Sequence, residues 1–219
     1  MVTKYSFDLP SSIPIFPLSG ALLFPFGRLP LNIFEPRYIA MIDMALANDR
    51  FVGMIQPKTG EDDLGRGYPY MYDIGCLGRI STFVENDIDQ YSIILSGYSR
   101  FKIVEEVPSL NKWKTVIVDY SSFVNDLENI GSQSFSRESF LRIVQEYFLI
   151  HGMAGPWDSI RELDVATLIA FIVMEVPFSP HEKQAILECE SITEQSLMLQ
   201  SLMEMEIYQK GKPESERHH

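Results

Sequence analysis

The residue pattern of this chain changes character once, shortly after Tyr120, and that change constrains the fold more than any single motif. Up to that point it reads as strands. Ile13–Leu18 is a short apolar run broken by Pro14 and Pro17, which suits a sheet edge because proline donates no ladder hydrogen bond. Leu31–Phe34, Phe51–Gln56, Ile74–Val84, Tyr91–Ser96 and Arg100–Val107 follow, and Trp113–Tyr120 places Thr115, Val116, Ile117 and Val118 in series. The acidic turn Glu85–Gln90 predicts a hairpin. One helix interrupts the strands: Pro36 stands where a helix opens, and Tyr38, Met41, Ile42 and Ala45 recur at helical spacing up to Asn48. Pro57–Tyr72, rich in Gly, Pro and Asp, reads as an exposed loop.

After Tyr120 the pattern is helical. Ser136 is placed to cap Arg137–His151, and Gly152 to end it. Asp164 is placed to cap an apolar helix that reaches about Val176 and stops at Pro177. Ser179-Pro-His-Glu182 and Ser191-Ile-Thr-Glu194 are capping boxes, the second opening a last helix to about Gln209. Helices collected after strands give an α+β class with segregated halves. The expected division is a β-rich subdomain over residues 1–122, a bundle of about four helices over 123–209, and a polar, disordered tail over 210–219. Phe123–Gln133 is the expected hinge.

Charge narrows the partners. The net charge is −12, and residues 121–219 hold 7 Lys/Arg against 16 Asp/Glu. Nucleic acids and anionic membranes are bound through clustered cations that displace counterions. No such cluster exists here, so neither is an expected partner. Cys76 and Cys189 are far apart and lack CxxC spacing, which fits a reducing compartment. Asp8, Pro10, Pro14 and Pro17 interrupt any export signal, and the apolar run Val165–Met174 is half of the roughly 20 residues that span a bilayer. A cytoplasmic protein is the expectation.

The residue types give little support to catalysis. Gly60 and Gly65 have phosphate-loop spacing, but Arg66 and Gly67 stand where lysine and a hydroxyl are needed, and Glu61, Asp62 and Asp63 face the phosphate position. His151 and His181 lack metal-ligand spacing, and no nucleophile elbow is present. Glu105 and Glu106 are consecutive, so on a strand they point to opposite faces. No metal, no cofactor and no enzymatic activity are expected.

The most informative segment is Ile13 to Tyr38, where Pro14, Pro17, Pro25, Pro30 and Pro36 fix an apolar strand, loop and strand with little entropy left to lose. Glu35 and Arg37 flank Pro36, a charged pair expected to be tied to each other or to orphan backbone groups. This segment, with Pro17, Pro25, Pro30, Glu35, Arg37 and Tyr38, resembles the opening of the Lon N-terminal (substrate-binding) domain family. Ile74-Gly75-Cys-Leu-Gly-Arg-Ile80 is similar to a later strand of that family. Leu95-Ser-Gly97-Tyr-Ser-Arg100-Phe101-Lys-Ile103 is similar to its strand-turn-strand, and Val176–Glu188 to its helical motif. The resemblance spans most of residues 13–205. One departure is Phe26, which replaces the family glycine after Leu-Phe-Pro, with Gly27 following.

The resemblance implies a twisted PUA-like β-sheet subdomain containing one helix, followed by a helical bundle. It also implies a role. In Lon this region helps capture unfolded or tagged proteins, and a similar domain in cereblon is a docking platform. The motifs carry over neither a Walker lysine nor a Ser–Lys dyad, and the chain ends where the ATPase of Lon would begin. The expectation is a non-enzymatic polypeptide-binding module, an adaptor in protein quality control, with unfolded or tagged polypeptide or a partner protein as ligand. Its candidate binding residues are Phe24, Phe26 and Leu29 on the proline-bounded loop, and Met198 and Met203 on the last helix. The alternative is a small-molecule-binding or hydrolytic protein using a cleft between the halves, with His151 in it.

Overall fold

A computed structural model describes residues 9–58, 70–87, 90–108, 110–127 and 136–211. The elements run β1 (Ser12–Pro17), β2 (Arg28–Ile33), α1 (Pro36–Ala47), β3 (Phe51–Ile55), β4 (Ile74–Asp87), β5 (Gln90–Val107) and β6 (Lys114–Asp119). A kinked 3-10 segment, Ser121–Leu127, then leads to α2 (Arg137–Ile150), α3 (Trp157–Glu162), α4 (Val165–Glu175), α5 (Pro180–Glu188) and α6 (Ile192–Gly211). The near-phosphate loop 60–67 and the tail from residue 212 lie outside the described residues, as do residues 88 and 89 of the predicted hairpin. That hairpin's strands do pair, with Asp87 opposite Gln90.

The strand order is β2-β5-β4-β3-β1-β6, and β6 also pairs with β5. Five strands therefore return on themselves as a ring, and β2 attaches to β5 outside it. This corrects one expectation: β1 is interior, not an edge. It runs parallel to β3 over Ile15–Pro17 and antiparallel to β6 over Ser12–Ile15. Pro14 and Pro17 thus each lie where only one flank is laddered, which is how an interior strand tolerates them.

Closure depends on the length of β5. Two strands were expected, but Gln90–Val107 is one strand of 18 residues. Its first part pairs with β2, from Tyr91 opposite Ile33 to Ser96 opposite Arg28. Its second part pairs with β6, from Lys102 opposite Asp119 to Val107 opposite Thr115. Register shifts between β4 and β5 at Leu77/Gly78, Ile80/Thr82 and Glu85/Asp87 add the local twist that curls the sheet. Gly97, read from the sequence as part of a turn, continues the strand. Its N–H donates to Gly27 O at 2.9 Å and its carbonyl accepts from Phe26 N at 3.1 Å.

Three apolar clusters fill the molecule. Ile13, Ile15, Phe51, Leu77, Phe101 and Val116 occupy one face of the sheet. Phe16, Tyr38, Met41, Ile42, Ile80 and Leu95 join α1 to the other. Phe140, Tyr147, Leu168, Ile172, Ile186 and Leu199 pack the helices together. In the loop before β2, Leu22 and Phe24 enter the helical cluster while Leu23 enters that of α1. Extended backbone sends alternate side chains to opposite sides, so one loop ties both halves together.

Several helix signals of the sequence correspond to real caps. Asp164 Oδ1 accepts from Thr167 N at 3.0 Å, and Gly152 takes φ +63 to end α2. Ser179 and Glu182 form the complete capping box, and removing it with Ser179→Ala is expected to cost about 1 kcal/mol in a denaturant titration. Ser191 Oγ accepts from Glu194 N at 3.2 Å, but the Glu194 carboxylate reaches back to Glu190 N at 2.9 Å, so the second box is shifted. Ser136 makes no side-chain cap bond. The short α3 was not foreseen, because six residues are too few to show a period.

Candidate binding surface

The proline-bounded loop is built mainly to join the halves. Phe24 is fully buried in the helical cluster, so it is a core side chain and offers no surface to a partner. Burying a phenylalanine contributes about 1.5–3 kcal/mol, which explains why the loop folds inward. Pro25 is buried behind it. Leu29, on β2, is half-buried against the α1 cluster. Phe26 is half-buried with φ +66, the left-handed region that glycine occupies without strain. The family glycine therefore has a conformational reason at this position. Gly27 is packed too, since a Cβ there would lie 2.5 Å from Met174 Sδ.

Beside this loop is a crevice lined by Phe24, Pro25, Phe26, Asp126, Ala170 and Gln195 among others. Its interior space of about 20 Å³ suits a single water and is too small for an organic ligand. His151 is not among its lining residues. Its ring stacks on Tyr147 at 4.2 Å, and its Nε2 lies 2.9 Å from Glu206 Oε2, off line for a hydrogen bond. His151 thus joins α2 to α6, which accounts for it without a cleft. Burial, then Glu206, raises the Tyr147 hydroxyl pKa well above the usual tyrosine range.

Most of the motif residues serve architecture. Pro17 and Pro30 sit in β1 and β2. Arg37 and Glu35 pair at 2.9 Å, as the sequence suggested, and the Arg37 guanidinium lies 4.5 Å from the Tyr38 ring centre. Tyr38 in turn packs on Phe16 at 4.2 Å. Phe101 fills the space left by two missing side chains: a Cβ at Gly75 would lie 2.6 Å from its ring, and one at Gly53 3.0 Å. Gly97 admits the loop backbone, where a Cβ would meet Phe24 O at 1.9 Å.

Arg100 is the principal clasp between the halves. It is buried on β5, and its Nε and Nη2 donate to the two Asp126 carboxylate oxygens at 2.8 and 2.7 Å. Nη1 donates to Leu187 O at 3.0 Å and to Cys189 O, so the same fork caps the C-terminus of α5. The guanidinium also lies 4.4 Å from the Phe123 ring centre. Residues 123–127 of the expected hinge are therefore anchored; its residues 128–133 lie outside the described residues. Further along α5, Gln184 Nε2 donates to Ile74 O at 3.0 Å, and Gln184 Oε1 accepts from Gln56 Nε2 at 3.2 Å. Lys183 Nζ donates to Met174 O at 3.1 Å, and burial lowers its pKa. These bonds give the Glu-Lys-Gln motif of α5 a structural role.

The last helix divides cleanly. Met203 is fully buried with Leu199, so it too is a core residue and not a contact surface. Met198 stays on the surface, accompanied by Leu197, Met205 and Tyr208. Leu197 and Tyr208 were not singled out from the sequence, although the 197/201/205/208 spacing carries the signal. Asp126 was missed as well. Among the described residues, no three His, Cys, Asp or Glu side chains are grouped to hold a metal ion, and no helix is long and apolar enough to cross a membrane.

Comparison with known proteins follows the same boundaries. Residues 12–205 match the family described as the ATP-dependent protease La (LON) substrate-binding domain. The chain belongs to this family. It is 29% identical over 185 residues to Lon protease 2 of Sorangium cellulosum, covering 81% of the chain and 22% of that relative. It is 31% identical over 128 residues to Lon protease 2 of Myxococcus xanthus, covering 57% of the chain and 15% of that relative. The chain therefore spans under a quarter of these proteases. Among solved structures, a Lon N-terminal domain protein from Xanthomonas campestris superposes with a TM-score of 0.61 at 17% identity, over 88% of this chain and 98% of that one. The N-terminal domain of a Mycobacterium avium complex Lon protease gives 0.63 at 14% identity, with the same coverage of each chain. The fold is thus that of Lon N-terminal domains.

Proposed function

We propose that this LON substrate-binding domain is a non-enzymatic module that binds polypeptide, chiefly unfolded segments, and acts as an adaptor in protein quality control. The observation that carries the proposal is the family match across residues 12–205. Two features support it. Apolar side chains remain exposed on a well-anchored helix, a property of surfaces that receive protein partners. The crevice beside Phe26 has room for a single water, and His151 is occupied in helix packing. Acidity disfavours nucleic acid and leaves polypeptide as the natural ligand class.

The activity side of the proposal is tested by incubating the chain with ATP and fluorescent casein, with full-length Lon as the positive control. The expected result is phosphate release at buffer level and intact casein on a gel. Phosphate release or peptide fragments that co-purify with the chain through two columns would refute a non-enzymatic role.

A further inference from the structure

We propose that the outward face of α6 is the docking strip of this module, and that its occupant is a basic, amphipathic polypeptide segment. The inference rests on the polypeptide-binding reading and names where and what kind of segment is held. The buried face of α6 carries Gln195, Ser196, Leu199 and Met203, spaced so that each turn is fixed against the other helices. The backbone is held from beneath, so the outer face presents its side chains in a set arrangement. On that face Leu197 is 57% exposed, Met198 36%, Met205 58% and Tyr208 67%. Leu197, Ser201, Met205 and Tyr208 fall along one line at 3–4 spacing, apolar at three of the four positions, with the Ser201 hydroxyl turned back to Leu197 O; the strip covers about three turns, or roughly 16 Å at 1.5 Å per residue. Single exposed apolar residues are ordinary, but an aligned row on one helix is a contact surface. Methionine suits such a surface because its unbranched thioether adapts to different partners.

Charge selects the occupant. Helix α6 holds Glu194, Glu204 and Glu206 against one cation, Lys210, which lies in the last turn with its Nζ 3.1 Å from His151 Nδ1. Glu194 and Glu204 are exposed beside the strip. Glu206 is already engaged by Tyr147 at 3.2 Å and by His151. A segment with apolar side chains at helical spacing and flanking Lys or Arg meets both features, and an acidic segment or a second copy of this acidic face is repelled. The helix-in-groove mode of peptide recognition uses the same pattern of anchors.

The test uses the full chain and two labelled 18-residue peptides, one of Leu and Lys at helical spacing and one with Glu in place of Lys. By fluorescence anisotropy the Leu/Lys peptide is expected to bind about tenfold tighter or more than the Leu/Glu peptide. The variant Leu197→Ser/Met205→Ser/Tyr208→Ser changes exposed positions only. It is expected to keep the wild-type melting profile and to weaken the Leu/Lys peptide about tenfold. Glu204→Lys leaves the apolar row intact and is expected to narrow the preference between the two peptides. Equal binding of the two peptides, or undiminished binding by the triple variant, overturns the proposal. So does sedimentation showing that the wild type pairs through this face and the triple variant does not. A triple variant that still binds unfolded protein at wild-type strength removes the strip but leaves the polypeptide-binding module standing. A wild-type chain that binds no unfolded protein removes the module itself.

Discussion

Arg100→Leu is expected to lower the unfolding free energy by about 3–5 kcal/mol, measured by urea titration followed by circular dichroism. The substitution preserves much of the side-chain volume but strands Asp126, a buried carboxylate whose two oxygens accept from Arg100 at 2.8 and 2.7 Å. It also frees the carbonyls of Leu187 and Cys189 at the end of α5. Leaving a buried charge uncompensated is the costly part, and lost attraction is the smaller one. By the same reasoning Asp126→Asn, which leaves the buried Arg100 cation without its counter-charge, is also expected to be costly, and Arg100→Leu/Asp126→Leu to cost less than the sum of the two leucine replacements. Arg100→Lys is not a rescue, because an ammonium cannot span both carboxylate oxygens and the α5 carbonyls in one plane. If Arg100→Leu unfolds within about 1 kcal/mol of wild type, the size of a surface substitution, the clasp is not what joins the halves.

Gly97→Ala is expected to cost about 3 kcal/mol or more, a large effect for one added methyl group. The new Cβ would lie 1.9 Å from Phe24 O and 2.8 Å from Phe24 C. Both are backbone atoms, so no side chain can rotate away. The loop must retreat, breaking the bonds of Gly97 to Phe26 and Gly27 and pulling Leu22, Leu23 and Phe24 from the clusters they share. Gly20→Ala is the useful comparison. Its φ is +79 with open space around it, so only the backbone conformation is penalised, by about 1 kcal/mol. Thermal melts of the two variants should rank them in that order. Equal melting temperatures would mean that the loop is not held against β5.

The sequence carried the order of elements well because the signals were local. Proline at Pro36, the Ser179–Glu182 box, Asp164 and Gly152 each act within a turn of the residues they organise. What escaped was set by distance. Ring closure needs β5 to run on past its β2 pairing and meet β6 while it also pairs with β4, and nothing near residue 97 announces that. Pro14 and Pro17 looked like edge residues because an interior strand laddered on one flank at a time has no local signature. Asp126 lies 26 positions from Arg100, and a partner at that separation is found only once the chain is folded.

The candidate surface followed the same division. Phe24 and Met203 had the right residue type for a partner contact but the wrong side of their elements, since burial depends on what packs against them. For α6, the strip could be read from spacing alone. Leu197 and Tyr208 share the line of Met205, whereas Met203 lies on the line of Leu199. Residue type pointed to the helix, and periodicity separates its two faces.

On the function proposed above, this LON substrate-binding domain holds a polypeptide because that polypeptide is unfolded. The most direct measurement is calorimetric titration of the chain, without nucleotide, against one protein in two forms: α-lactalbumin with its disulfides intact, and the same protein reduced and carboxymethylated. Binding of the unfolded form at about micromolar Kd with a negative heat-capacity change is expected, and no heat from the folded form. Equal affinity for both forms, or no binding of the unfolded form at high micromolar concentration, would contradict it.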